Sequence, residues 1–179
     1  MPTLFAAAVY PAKEGDRAGL AHFVDALKKT GVRVGGLLQE KVPMGKEGMQ
    51  RVEAIDIATG RRIPVNQPTT ETWRNRVCSL DVSALTETTA SLRRAIADRV
   101  ELMVVEKFGD AERDGEGLTE DVFQAIAAGI PVVIAVPDTN LDIWNERSGG
   151  MGDIVDCNEG ELRRWWASVQ CEKRINRSA

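Results

Sequence analysis

The stretch Arg99–Gly117, RVELMVVEKFGDAERDGEG, decides how the rest of the chain is read. Leu102 to Val105 is a short, continuous apolar run rich in Val, the pattern of a strand buried on both faces, and it stops abruptly at the charged pair Glu106 and Lys107. In open α/β sheets the ligand crevice lies outside the carboxyl ends of the strands. A loop that follows such a strand and carries Lys107, Asp110, Glu112, Arg113 and Asp114 with Gly109, Gly115 and Gly117 is therefore a candidate site wall. The same composition suits a solvated surface loop, because loops carry both function and plain connections.

Towards the beginning of the chain, Thr3 to Val9 is apolar and ends at Tyr10-Pro11, and Leu20, Phe23, Val24 and Leu27 then recur at helical spacing up to Gly31. A second apolar run, Val32 to Leu38, completes a βαβ unit whose loop, Pro11 to Gly19, falls at the carboxyl end of the first strand. Such loops hold phosphates, since unpaired backbone amides and the helix dipole both favour an anion. A phosphate-binding loop needs Gly, four residues, then Gly-Lys-Ser or Gly-Lys-Thr. Laid over Tyr10 to Arg17, that pattern keeps only Gly15, with Asp16 and Arg17 where the Lys and the hydroxyl belong. Lys13 or Arg17 can replace the missing charge, although each also suits a solvated surface.

Gln39 to Met49 is polar, Arg51 to Ile57 and Arg61 to Val65 alternate around Ala58-Thr59-Gly60 as a β-hairpin, and Asn66 to Val77 reads as irregular. Asp81 has the chemistry of an N-cap for a helix carrying Leu85, Leu92 and Ile96 on one face. Cys78, just before that helix and downstream of Arg74 and Arg76, is either a thiol whose thiolate is stabilised or a small buried hydrophobe. Thr119 starts a helix with Val122, Phe123 and Ile126 inward, ended by Gly129. Ile130 to Val136 is a second buried strand, and Asp138 to Gly150 is a further segment at the carboxyl edge. Asp153 to Asp156 reads as a last strand, and Leu162, Trp165, Trp166 and Val169 as the apolar stripe of a closing helix. His22 is the one histidine and sits off the stripe of its helix, so no histidine triad or zinc site is available and no metal ligands are assigned.

A length of 179 residues favours one compact domain, 1–179, large enough to bury a core without metal or disulfide support. The balance of 23 Lys and Arg against 27 Asp and Glu, net charge -4, contains no basic block and argues against nucleic acid as a partner while leaving a small anion open. No apolar run is long enough to span a bilayer, no basic start leads into an apolar signal region, and the 3 cysteines lack metal-ligand spacing. The expectation is a cytoplasmic protein without a membrane partner.

Several stretches together carry a resemblance: Val34-Gly35-Gly36-Leu37-Leu38-Gln39, Asp56-Ile57 with Thr59-Gly60, Cys78-Ser79-Leu80-Asp81, Leu102 to Gly117, and Gly129-Ile130-Pro131-Val132. Nearly the whole chain resembles an uncharacterised bacterial family often labelled as molybdate-transporter ATP-binding proteins, whose members usually carry Asn-Arg-Phe-Gly-Lys-x-Glu-x-x-Gly-x-Gly after the central strand. Phe108, Gly109, Glu112, Gly115 and Gly117 match that loop, while Glu106 and Lys107 replace Asn-Arg and Asp110 replaces Lys, which leaves the local charge less positive. More distantly, the element order is similar to that of small P-loop nucleoside-triphosphatases, in which an acidic residue after a central strand supports magnesium, the position Glu106 holds here.

The expected fold is a three-layer α/β domain, P-loop NTPase-like, with a mainly parallel five-stranded sheet and an appended β-hairpin. Its strand order is expected to run through the strands at Val32, Leu102, Leu4, Val132 and Ile154. The expected function is binding of a nucleotide or an oxyanion at the carboxyl edge, linked by the resemblance to molybdate or tungstate handling, with little or no ATP hydrolysis. Lys13, Gly15, Asp16, Arg17, Lys107, Gly109, Glu112 and Gly115 are the candidate binding residues. Cofactor candidates are a nucleotide with magnesium, or molybdate or tungstate. The alternatives are a weak nucleoside-triphosphatase using Glu106 and an enzyme using Cys78. A homo-oligomer and a transporter-linked partner are both compatible with the sequence.

Overall fold

The computed structural model describes residues 3–13, 17–45, 48–66, 68–75, 82–106 and 117–177. Their frame is a seven-stranded sheet. Its strands are β1 (Phe5–Tyr10), β2 (Val34–Pro43), β3 (Gln50–Asp56), β4 (Arg62–Pro64), β5 (Leu102–Val105), β6 (Val132–Pro137) and β7 (Asp153–Asp156). They lie in the order β4-β3-β2-β5-β6-β1-β7. Helices α1 (Ala18–Lys29), α2 (Thr70–Arg74), α3 (Val82–Ala97), α4 (Thr119–Ala127), α5 (Leu141–Arg147) and α6 (Glu159–Arg177) surround it.

The period of two along each central strand divides the apolar residues between two layers. Ala6, Ala8 and Tyr10 of β1, Leu102 and Val104 of β5, and Val133 and Ala135 of β6 meet Leu20, Phe23, Val24 and Leu27 of α1 and Leu162, Trp165, Trp166 and Val169 of α6. The alternate residues Phe5, Ala7, Met103, Val105, Val132, Ile134 and Val136 form the opposite core with Leu92 and Ala95 of α3, Val122 and Ala125 of α4, and Trp144 of α5. All four residues of β5 and all six of β6 are buried, which is why they read as unbroken apolar runs rather than alternating ones.

One feature of the expected sheet changes. The Leu102 strand does not lie beside the Leu4 strand: β6 stands between them, pairing Met103 with Val132 on one side and Phe5 with Val132 on the other. Both orders bury the same apolar runs, so composition does not separate them; β5 and β6, consecutive in sequence, lie side by side, as is common. The Arg51 to Val65 hairpin lies at an edge of the sheet, as expected, and is continuous with it. β2 runs on to Pro43 and pairs antiparallel with β3 from Leu37↔Asp56 to Pro43↔Gln50, so β2, β3 and β4 extend the parallel part without a break. Two helices also emerge where none was expected. Thr69 and Thr72 cap α2 reciprocally, within the stretch taken as irregular, and α5 buries Trp144 by stacking it on Phe123, 6.0 Å between centroids.

The double role of β2 depends on the pair Gly35-Gly36. Val34 to Leu37 run parallel to β5, and from Leu38 onward the strand pairs only with β3. Gly36 adopts φ +110 at this change of partner, and a Cβ there would lie 1.9 Å from the Val104 carbonyl oxygen. No L side chain fits that geometry. At Gly35 a Cβ would stand 2.7 Å from the Ala95 Cβ of α3, so the second glycine lets the helix lie close on the sheet.

Candidate functional site

The carboxyl edge is organised by the early end of β5. β2 continues to Pro43 beyond its last pair with β5, Leu37↔Val105, and among the described residues the partner of the Gln39 amide is the carboxylate of Glu106. Glu106 Oε2 accepts from the Gln39 N–H, and the Glu106 N–H donates to the Leu37 carbonyl at 3.0 Å. The side chain is only 6% exposed. Leaving either the carboxylate or the amide without a partner there is costly, so the acidic residue has a structural use before any chemical one.

The second oxygen of Glu106 meets the beginning of α1. Arg17, the residue that precedes the helix, turns its side chain away from the helix amides and donates from Nε to Glu106 Oε1 at 2.9 Å. Its guanidinium lies 5.1 Å from the centroid of the Tyr10 ring, with NH1 3.5 Å from the tyrosine hydroxyl. Gly19 sets the place of this helix start, since a Cβ there would stand 2.8 Å from Asn158 Cα in the turn before α6. The β1–α1 loop thus crosses the end of β6, where the Ala12 amide donates to Asp138 Oδ1 at 3.0 Å, before Arg17 reaches the end of β5.

Burial governs the charges. It raises the Glu106 carboxyl above the ordinary carboxylate range, and the Gln39 amide and Arg17 only partly oppose it. Burial also disfavours the charged guanidinium of Arg17, but the hydrogen bond and charge of Glu106, with Tyr10, outweigh it and raise its pKa further. The Tyr10 hydroxyl is likewise raised by burial, against the lowering effect of Arg17. Among the described residues no buried side-chain nitrogen or oxygen lacks a hydrogen-bond partner. The Arg17 donor that neither Glu106 nor Tyr10 uses is therefore not fully buried, although the side chain as a whole is only 16% exposed.

Of the residues singled out in the sequence, Arg17 and Glu106 come into direct contact, and Lys13 is exposed on the same loop. Gly15, Asp16, Cys78, Lys107, Gly109, Glu112 and Gly115 lie outside the described residues, as does the proposed cap Asp81. Sequence reading did not single out Tyr10, Gln39 or Asp138. Gln39 acts from within β2 and Asp138 just past the end of β6, and the signals visible in sequence were the Tyr10-Pro11 strand end and the carboxyl-edge segment that Asp138 opens.

Residues 5–165, from the first residue of β1 into α6, match the family described as "Protein of unknown function (DUF2478)". The chain belongs to the DUF2478 family. The DUF2478 chain is also 34% identical over 165 residues to "Molybdenum import ATP-binding protein ModC 2" of Bradyrhizobium diazoefficiens, a match covering 92% of this chain and 18% of that protein. The chain thus spans less than a fifth of the length of this curated relative. Among the described residues no helix is long and apolar enough to cross a membrane, and no group of three or more His, Cys, Asp or Glu is placed to hold a metal ion.

Proposed function

We propose that this DUF2478 chain binds a tetrahedral oxyanion, either the phosphate of a nucleotide or molybdate or tungstate, at the carboxyl edge of a P-loop NTPase-like scaffold, with little or no ATP hydrolysis. The observation that carries the reading is the meeting of Arg17 and Glu106, which joins the start of α1 to the end of β5. A helix start offers unpaired amides and a partial positive charge, and an arginine beside it adds planar donors suited to oxyanions. Lys13, Gly15, Asp16, Lys107, Gly109, Glu112 and Gly115 are the further residues of the proposed site. Weak turnover follows from the loop: phosphoryl transfer depends on positioning and on spreading charge over metal and lysine, and Asp16 and Arg17 stand where the lysine and the hydroxyl would act. The name of the long relative mentions both molybdenum import and ATP binding, which supports this ligand class and a transporter-linked partner.

The test is a thermal-shift screen of ATP, GTP, ADP, molybdate, tungstate, sulfate and phosphate, since a ligand held only by the native state raises the melting temperature with its occupancy. Stabilisation by at least one of these anions, with negligible release of phosphate from ATP, is the expected result. No shift with any of them, or brisk ATP turnover abolished by Glu106→Gln, refutes it.

A further inference from the structure

The fold resemblance brings a magnesium ion with it, and the donor set at Glu106 does not fit one. Magnesium asks for near-octahedral oxygen ligands at about 2.0–2.1 Å and is usually held through one or two carboxylates together with waters and substrate phosphates. Here both oxygens of the carboxylate already accept from N–H donors, Oε1 from Arg17 and Oε2 from the Gln39 amide. The guanidinium on Oε1 also places a positive charge where the cation would enter. Withdrawing Glu106 to bind metal would leave a mostly buried guanidinium and a strand amide without their partner, and each buried group left unpaired carries its own desolvation cost.

We propose that the site takes its anion free of magnesium, on the guanidinium of Arg17, and that Glu106 is a positioning residue that holds Arg17 rather than a ligand of metal or an activator of water. This rests on the anion-binding reading above. Glu106 fixes Nε, the Tyr10 ring supports the flat face, and Nη2, which neither of them uses, is not fully buried. A guanidinium held by one edge still presents others to an oxyanion, and less side-chain entropy is lost when the ligand arrives.

The experiment is isothermal titration of the full chain with ATP and, separately, with molybdate, each in EDTA and in magnesium chloride. The affinity for whichever anion binds is expected to change by less than about twofold between the two buffers, whereas binding seen only with magnesium overturns the inference and leaves the anion-binding reading intact. Binding in neither buffer overturns that reading, and this inference with it. The role of Glu106 is read from the sign of the effect in Glu106→Gln. Removing a negative charge beside an anion site strengthens binding by Coulomb attraction alone, but loss of positioning weakens it, and a weakening of about threefold or more is expected. Tighter binding overturns the positioning role. The double variant Arg17→Met/Glu106→Leu replaces the ion pair with apolar groups and is the control for folding; it is expected to melt cooperatively and bind at least about tenfold more weakly. Unchanged binding by that variant overturns the assignment of Arg17.

Discussion

Arg17→Met is the perturbation that tests the buried pair most directly. It leaves the Glu106 carboxylate, 6% exposed, with the Gln39 amide as its one remaining hydrogen-bond donor among those described. Removing one member of a buried pair costs about 3–5 kcal/mol. The chemistry of the group sets a ceiling on that cost, because the carboxyl escapes an unfavourable charge by taking up a proton. From its ordinary value of 4.5 this escape costs about 1.4 kcal/mol per pH unit, or about 3.4 kcal/mol at pH 7, which is an upper bound because burial already raises the carboxyl in the parent chain. Loss of the guanidinium from the Tyr10 ring adds about 0.5–1 kcal/mol, so a destabilisation of up to about 4 kcal/mol is expected at pH 7. The pH dependence has a definite sign. Without Arg17 the folded-state pKa of Glu106 rises further above its unfolded value, so the native state binds the extra proton. The deficit is therefore small below pH 4.5 and grows as the pH rises, until the pH passes the raised folded value. Urea unfolding followed by tryptophan fluorescence across that range measures it. Arg17→Met/Glu106→Leu should recover most of the loss. A penalty below about 0.5 kcal/mol and flat with pH would show the pair to behave like a solvent-exposed one and refute the reasoning.

Gly36→Ala is expected to cost at least about 4 kcal/mol or to prevent folding, since its Cβ would stand 1.9 Å from the Val104 carbonyl oxygen at φ +110; a urea midpoint equal to that of the parent chain would contradict the β2–β5 register. Asp56 is buried beneath the Thr59-Gly60 turn, accepting from the Ala58 and Thr59 amides at 3.0 Å each and from Arg94 at 3.2 Å. Burial alone would raise its pKa, but hydrogen bonds from Ser91, Thr59 and Ala58 hold it below the ordinary 3.8. Asp56→Asn should therefore lose about 1–3 kcal/mol at neutral pH, a deficit that shrinks as the pH falls below 3.8 and the parent chain loses its own advantage; the same deficit at every pH would rule out the charge as its source.

Much of the fold was legible because burial leaves a period. The β5 and β6 runs, the α1 stripe Leu20, Phe23, Val24 and Leu27, and the α6 stripe Leu162, Trp165, Trp166 and Val169 are all buried in the core. The exposed His22 likewise lies off its stripe. What the period does not encode is which apolar strand lies beside which. β1, β5 and β6 look alike to any reading of hydrophobicity, and only close packing inserted β6 between the other two. The continuation of β2 beyond Leu38 was hidden for a related reason: its polar residues are those of a strand whose outer part leaves the core, so the antiparallel pairing with β3 rather than composition reveals it.

At the site, the sequence alone determined that a charged residue would follow a buried strand and that a basic residue would precede the first helix, because both follow from where apolar runs stop. Residues 17 and 106 are 89 positions apart, and only the tertiary structure made Arg17 and Glu106 partners. The reason is the unequal length of β2 and β5. The Gln39 amide, beyond the last β2–β5 pair, takes the carboxylate as its partner, burial then demands a countercharge, and the helix start positioned by Gly19 brings the guanidinium that supplies it.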